Sequence, residues 1–213
     1  MAEIVIWGGS AHARVIAEAL GEDHTIVAFF DWGEAPSPIA GVPIYCGEDA
    51  FDAWLAAYPA KDNLYGVCAI GGTHGAARVR YLDLFKSRGL KLLTVRHPTA
   101  YVPDNTIVGE GCHIFIKSII EPGVTLGRGV IINSGAVIGH DVVIGDGAHI
   151  TATSVIGGRC VIGENTFLGL NTLVLPDITI GKNVVVGAGS VVTRDVPDNV
   201  TVAGTPARLL AKK

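Results

Sequence analysis

Aromatic side chains are scarce in this chain: six Phe, five Tyr and three Trp make up 7% of its 213 residues. A core with so few rings has to be built from small aliphatic side chains in close layers. Charge is thin as well, 17% of residues with a net −4. That balance argues against nucleic acid or an anionic membrane surface as a partner. No apolar run approaches the roughly 20 residues of a membrane span. Glu3 and the Gly8-Gly9 pair interrupt the first apolar run, so no secretory leader is expected. There are four cysteines (Cys46, Cys68, Cys112 and Cys160) and no C-x-x-C pair. The pattern gives no disulfide framework and fits a reducing cytoplasm.

Glycine and repetition are abundant instead. The 28 glycines accompany a period of six that runs from Thr106 to Asp195 without a slip. Fifteen successive hexads, from Val108 to Val192, place an aliphatic residue in the third position. The position two earlier is small or mid-sized throughout, and Cys112 and Cys160 fall in it, which marks them as core residues. Two inward side chains flanking one outward residue describe a short strand. Gly109, Gly127, Gly145, Gly163 and Gly181 then read as cheap corners in every third hexad. Three strands and three corners close a triangular coil of eighteen residues, stable only when stacked. A chain of antiparallel hairpins would need turn signals every eight to twelve residues, which the sixfold count does not supply.

Ahead of the repeat, strands at 3–7, 26–30, 64–70 and 90–95 alternate with helices at about 13–20, 47–57 and 76–88. Such alternation predicts a small open parallel sheet. The expected organisation is an α/β domain over 1–97, a β-helix of about five coils over 98–195, and a C-terminal tail over 196–213. The first strand ends in Gly8-Gly9-Ser10-Ala11-His12. This falls short of the G-x-G-x-x-G dinucleotide fingerprint. A strand–glycine–helix turn still offers backbone N–H groups to a phosphate. Asp31 closes the second strand and Gly71-Gly72 the third, so two glycine turns and an acid share one rim of the sheet.

Residues eighteen apart stack into outward columns. Glu110, Arg128, Asp146, Glu164 and Lys182 form a mixed-charge column, read as a solvated corner. Ile119, Val137, Val155, Leu173 and Val191 form an apolar stripe, read as a partner surface. Ile116, Ser134, Ala152, Leu170 and Ala188 suit a shallow groove. Against this background His140-Asp141 sits at a corner between Pro122 below and Gly158 above. A neutral imidazole is the usual general base near pH 7, and a nearby carboxylate can fix its tautomer. His113 and His149 share a column two coils apart, near 10 Å at about 4.8 Å per coil, too far to converge on a metal.

The run Ile-Gly-His-Asp-Val-Val-Ile-Gly-Asp, the opening Gly-Gly-Ser-Ala-His-Ala and the tail Gly204-Thr205-Pro206-Ala207-Arg208 resemble the hexapeptide-repeat sugar acetyltransferases of the PglD and NeuD type. The resemblance spans the whole chain. It implies a Rossmann-like nucleotide-sugar domain, a coil that winds left-handed, and a homotrimer with active sites between subunits. It also implies acetyl-CoA-dependent N-acetylation of a nucleotide-linked amino sugar of the 4-amino-4,6-dideoxy type, with no metal. His140 would be the base and Asp141 its acid partner. Ser10, Ala11, His12, Asp31, Trp32 and Gly71 would hold the nucleotide sugar; His149, Gly169, Leu170, Gly187 and Ala188 would hold CoA. Ala11 and Trp32 depart from the family's usual residues and leave the nucleotide base open. The alternatives are O-acetylation of a sugar, as in the NeuD branch, and a nonenzymatic β-helix scaffold.

Overall fold

The computed structural model describes residues 1–210. It opens with β1 (Ala2–Trp7), α1 (Ala11–Leu20), β2 (His24–Asp31), β3 (Ile44–Cys46), α2 (Glu48–Ala57), β4 (Leu64–Cys68), α3 (Gly75–Ser87), β5 (Lys91–Leu92) and β6 (Val95–Arg96). The first five strands form a parallel sheet in the order β3-β2-β1-β4-β5. The strand order reverses between β1 and β4, which run parallel, and this places their carboxyl ends at the switch point where open α/β sheets bind ligands. Ala13, Ile16 and Leu20 of α1 pack with Ile4, Ile6 and Phe29 on one side of the sheet. Tyr81, Leu82 and Phe85 of α3 and Phe51 and Leu55 of α2 pack with Val5, Trp7 and Phe30 on the other. The few aromatic residues concentrate here, with Trp7 stacked on Tyr81 at 4.2 Å between ring centres.

The strand read at 90–95 is two strands. Lys91–Leu92 closes the N-terminal sheet beside β4, whereas Val95–Arg96 pairs with His113–Ile114 and is the first rung of the coil. Fifteen two-residue strands follow, from Ile107–Val108 to Val191–Val192, three to a coil and therefore five coils. The first twelve each pair in parallel with the strand eighteen residues on, as Thr125↔Val143 and Leu126↔Ile144 do. A first face presents Ile107, Thr125, Val143, Val161 and Thr179. The second presents His113, Ile131, His149, Phe167 and Val185. The third presents Ile119, Val137, Val155, Leu173 and Val191. Inside, the aliphatic slots form one continuous core from Ile114 to Val202. Small polar residues in the other inward slot find carbonyl acceptors: Ser154 and Thr172 both donate to Gly169 O, at 3.1 and 2.6 Å.

The corner geometry corrects the reading of the glycines. The left-handed turn residue recurs every six positions at Gly111, Lys117, Gly123 and so on through Asp177 and Asn183 to Gly189, each with positive φ. Gly109, Gly127, Gly145, Gly163 and Gly181 lie two residues earlier and lack positive φ. They are glycine because of close approach: a Cβ on Gly109 would lie 2.5 Å from the Gly127 carbonyl carbon of the next coil. Asn, Asp and Gly tolerate the left-handed region best, and six of the nine non-glycine residues that adopt it, from Lys117 to Asn199, are Asn or Asp, at 141, 165, 171, 177, 183 and 199.

The α/β domain docks on the second face, where Phe115 and Ile131 join the α1 core. Arg78 of α3 is fully buried and spans the junction. Its Nε donates to Gly129 O and its Nη2 to Gly147 O, while Nη1 donates to Ile70 O, each at 2.6 Å. The mixed-charge column is accordingly more than a solvated corner. Lys86 pairs with Glu110 and Asp83 with Arg128, both at 2.5 Å, tying α3 to it. At the other end Thr201–Ala203 adds a rung beside Val185, and Arg208–Leu209 pairs antiparallel to it. The final three residues of the expected tail, 211–213, lie outside the described residues. No helix among the described residues is long and apolar enough to cross a membrane.

Candidate active site

His140 and Asp141 occupy the corner where the third face turns into the first. Asp141 fills the left-handed slot of its hexad, at φ 58°. The turn brings its carboxylate alongside the preceding ring: His140 Nδ1 donates to Asp141 Oδ2 at 2.9 Å. The His140 backbone N–H donates to Glu121 Oε2 at 2.8 Å, anchoring the corner to the coil below. In the neutral ring this bond places the proton on Nδ1 and the lone pair on Nε2. The ring lies over Gly158 of the next coil, where a Cβ would fall 2.5 Å from Nε2. Both side chains face solvent, 48% and 63% exposed. Arg159 and Asp177 pair above them at 2.6 Å.

A separate cleft of about 560 Å³ opens at the carboxyl ends of β1, β2 and β4. It brings together Ser10, His12, Asp31, Trp32 and Gly71 of the expected sugar-binding set; Ala11, the first residue of α1, stands beside them. Ser10 caps α1 and His74 caps α3, neither with a side-chain bond, so both helix N-termini keep free N–H groups at the cleft. His74 escaped the sequence reading, although its place right after the second glycine turn was a signal. Asp31 is partly occupied: Oδ2 accepts from Gly9 N–H and Oδ1 from Trp32 N–H, each at 2.7 Å, which shapes the glycine turn. Trp32 is 58% exposed, held edge-on by Trp7 and Tyr81.

His149 belongs to neither the corner nor the groove column. It lies on the second face, 6% exposed beneath the α/β domain, with Nδ1 donating to Gly72 O at 3.3 Å. Burial, then the charge of Arg78, pulls its pKa down to about 3. Leu170 (56% exposed) and Ala188 sit instead on the corner between second and third faces, each preceded by a tightly packed glycine, Gly169 and Gly187. The outward stripe is open as expected: Ile119 is 44%, Val155 38% and Leu173 38% exposed.

The bacterial transferase hexapeptide family (six repeats) matches residues 105–140, 123–158 and 159–194. The solved structure of PerB from Caulobacter crescentus in complex with CoA and GDP-perosamine is 32% identical to this chain with a TM-score of 0.89, covering 99% of this chain and 98% of that one. The chain belongs to the hexapeptide-repeat sugar N-acetyltransferases of the PglD and NeuD type. The enzyme is therefore an acyltransferase, and its coil winds left-handed. The acetyltransferase domain of PglB from Neisseria gonorrhoeae is 27% identical with a TM-score of 0.84, covering 99% of this chain and all of that one. WeeI from Acinetobacter baumannii is 25% identical with a TM-score of 0.85 over 97% and 99% of the two chains. The perosamine N-acetyltransferase has also been solved with a single histidine replaced, CoA and GDP-perosamine being present. No curated protein sequence matches the chain.

Proposed function

We propose that the enzyme transfers the acetyl group of acetyl-CoA to the amine of a nucleotide-linked 4-amino-4,6-dideoxy sugar, with His140 as general base. The observation that carries this reading is the His140–Asp141 bond at 2.9 Å, which holds Nδ1 as the donor and turns Nε2 to solvent at an open corner. Acetyl-CoA supplies a thioester; the sugar nitrogen bonds to its carbonyl carbon as the carbon–sulfur bond breaks. Nε2 of His140 takes the proton that this nitrogen sheds, and Asp141 steadies the imidazolium. A positioned base contributes about 10²–10⁴-fold.

The diphosphate of the sugar nucleotide suits the cleft over the N-termini of α1 and α3. Trp32 offers the base an aromatic platform. Leu170 and Ala188 offer the pantetheine arm an exposed apolar column, with Gly169 and Gly187 beneath; His149, under Gly72, serves the cleft side of the site. The α/β domain covers the second face, while His140 stands where the third face meets the first. One subunit thus keeps the cleft and the base apart, and a homotrimer formed on the apolar stripe would unite them across subunits. The test is thiol release from acetyl-CoA with GDP-, UDP- and dTDP-linked amino sugars, with the product bond identified by mass spectrometry and NMR. N-acetylation of one of them is expected. Thiol release with none, or acetylation only on oxygen, would overturn the assignment.

A further inference from the structure

Three imidazoles lie beneath the cleft, between the α/β domain and the second face. His149 has its proton fixed on Nδ1, because its partner Gly72 O can only accept. His12 Nε2 lies 3.4 Å from His113 Nδ1, and the rings are 5.5 Å apart. His113 is fully buried, and its Nε2 has no partner. Burial, with His12, Arg78 and His149 nearby, holds its pKa well below the ordinary value, so the ring is neutral and carries one proton. A proton on Nε2 would be a buried N–H with no acceptor, the costlier of the two orphans. A proton on Nδ1 meets His12 Nε2. His113 therefore donates and His12 accepts, which confines the proton of His12 to its Nδ1. That nitrogen faces Gly71 on the cleft wall, 4.0 Å from where a Cβ would stand. Arg78, the cation beside them, is engaged with backbone carbonyls.

We infer that His113 is a positioning residue: its bond to His12 Nε2 locks His12 in the tautomer that presents Nδ1–H, a neutral donor, to the anionic diphosphate in the cleft. The inference rests on the cleft being the nucleotide-sugar site. It also explains a histidine at an outward coil position that the docked α/β domain buries, where an aliphatic residue would pack without an orphaned atom.

The test compares His113→Asn, His113→Leu and His113→Phe. Asparagine keeps an N–H near the place of Nδ1; leucine and phenylalanine do not, and phenylalanine preserves ring volume should leucine fail to fold. Long-range ¹H–¹⁵N spectra of the ligand-free protein should show His12 as the Nδ1–H tautomer in the wild type and in His113→Asn, and mixed in the other two. Loss of one neutral hydrogen bond should raise KM for the nucleotide sugar about 3- to 10-fold in His113→Leu and His113→Phe. The kcat and the KM for acetyl-CoA should hold, and His113→Asn should restore the KM. An unchanged His12 tautomer, or an unchanged sugar KM, in the variants lacking the N–H would overturn the inference. Failure of the cleft assignment looks different: no nucleotide sugar then binds the wild type at all, while the spectra alone decide whether His113 locks His12.

Discussion

His140 Nδ1 and Asp141 Oδ2 are 2.9 Å apart although the two residues are adjacent in the chain. Neighbours in an extended strand point to opposite sides. The left-handed φ of 58° at Asp141, required by its hexad slot, removes that restriction. The corner thus builds an imidazole–carboxylate pair from consecutive residues. His140→Ala should lower kcat by about 10²-fold or more, and Asp141→Asn by less, since the ring keeps its place. Steady-state kinetics read both, and the unfolding temperature should stay put because both side chains are half-exposed or more. Near-wild-type kcat in His140→Ala would remove the base assignment.

Gly158 sets the position of that ring. Its backbone is not in the left-handed region, so alanine is permitted by conformation, but the new methyl would stand 2.5 Å from His140 Nε2. Gly158→Ala should displace the imidazole and reduce kcat by about 10²-fold, the scale of a misplacement near 1 Å. Folding, followed by circular dichroism, should be intact. An alanine variant with wild-type kcat would mean that the reactive nitrogen lies elsewhere.

Arg78 joins the two halves of the chain. Its charge meets only carbonyls, and burial lowers its pKa to about 10, so it remains charged at neutral pH. Arg78→Met would strip donors from Ile70, Gly129 and Gly147 at once. At about 1–3 kcal/mol for each buried group left unsatisfied, the loss should be about 3 kcal/mol or more. Urea unfolding checks this; a loss under about 1 kcal/mol would show that water replaces the guanidinium.

The buried histidines give stability a defined pH dependence. Burial lowers His12 to about 4 and His149 to about 3, and His113 lies well below its ordinary value. Each is neutral in the folded protein, whereas the unfolded chain takes up protons below about pH 6.5. The unfolded state therefore binds more protons as pH falls, and stability falls with it. Urea midpoints should be flat from pH 8 to 7 and decline from about pH 6 toward 4. The limiting slope is about 1.4 kcal/mol per pH unit for each histidine. A midpoint constant down to pH 4.5 would contradict neutral, buried rings.

The exposed stripe Ile119–Val155–Leu173 asks for cover. Fully burying an aliphatic side chain is worth roughly 1.5–3 kcal/mol, and a row of them approaches the margin by which a domain is stable. Val155→Asp should break the proposed trimer, read by light scattering against the 22.1 kDa chain mass, and activity should fall with it if the site spans subunits. A fully active wild-type monomer would sink the trimer; a variant that stays trimeric would point to the first face, through Ile107, Val143 and Val161.

The sequence by itself determined the coil, because each hexad meets the same local geometry and so writes the same residues. It also marked the strand–helix alternation, the glycine turns and the His140–Asp141 corner. What it could not carry were the contacts between the two halves. Arg78 reaches Gly129 across 51 residues and His149 reaches Gly72 across 77. No period records such distances. Folding alone decided that the second face would be buried, which turned His113 and His149 from an outward column into interior groups. Folding likewise split the strand expected at 90–95 and made the charged column a mooring for α3. Repetition shows up in a sequence because it is local; the docking of one unrepeated domain on one of three similar faces is set by side chains that meet only once.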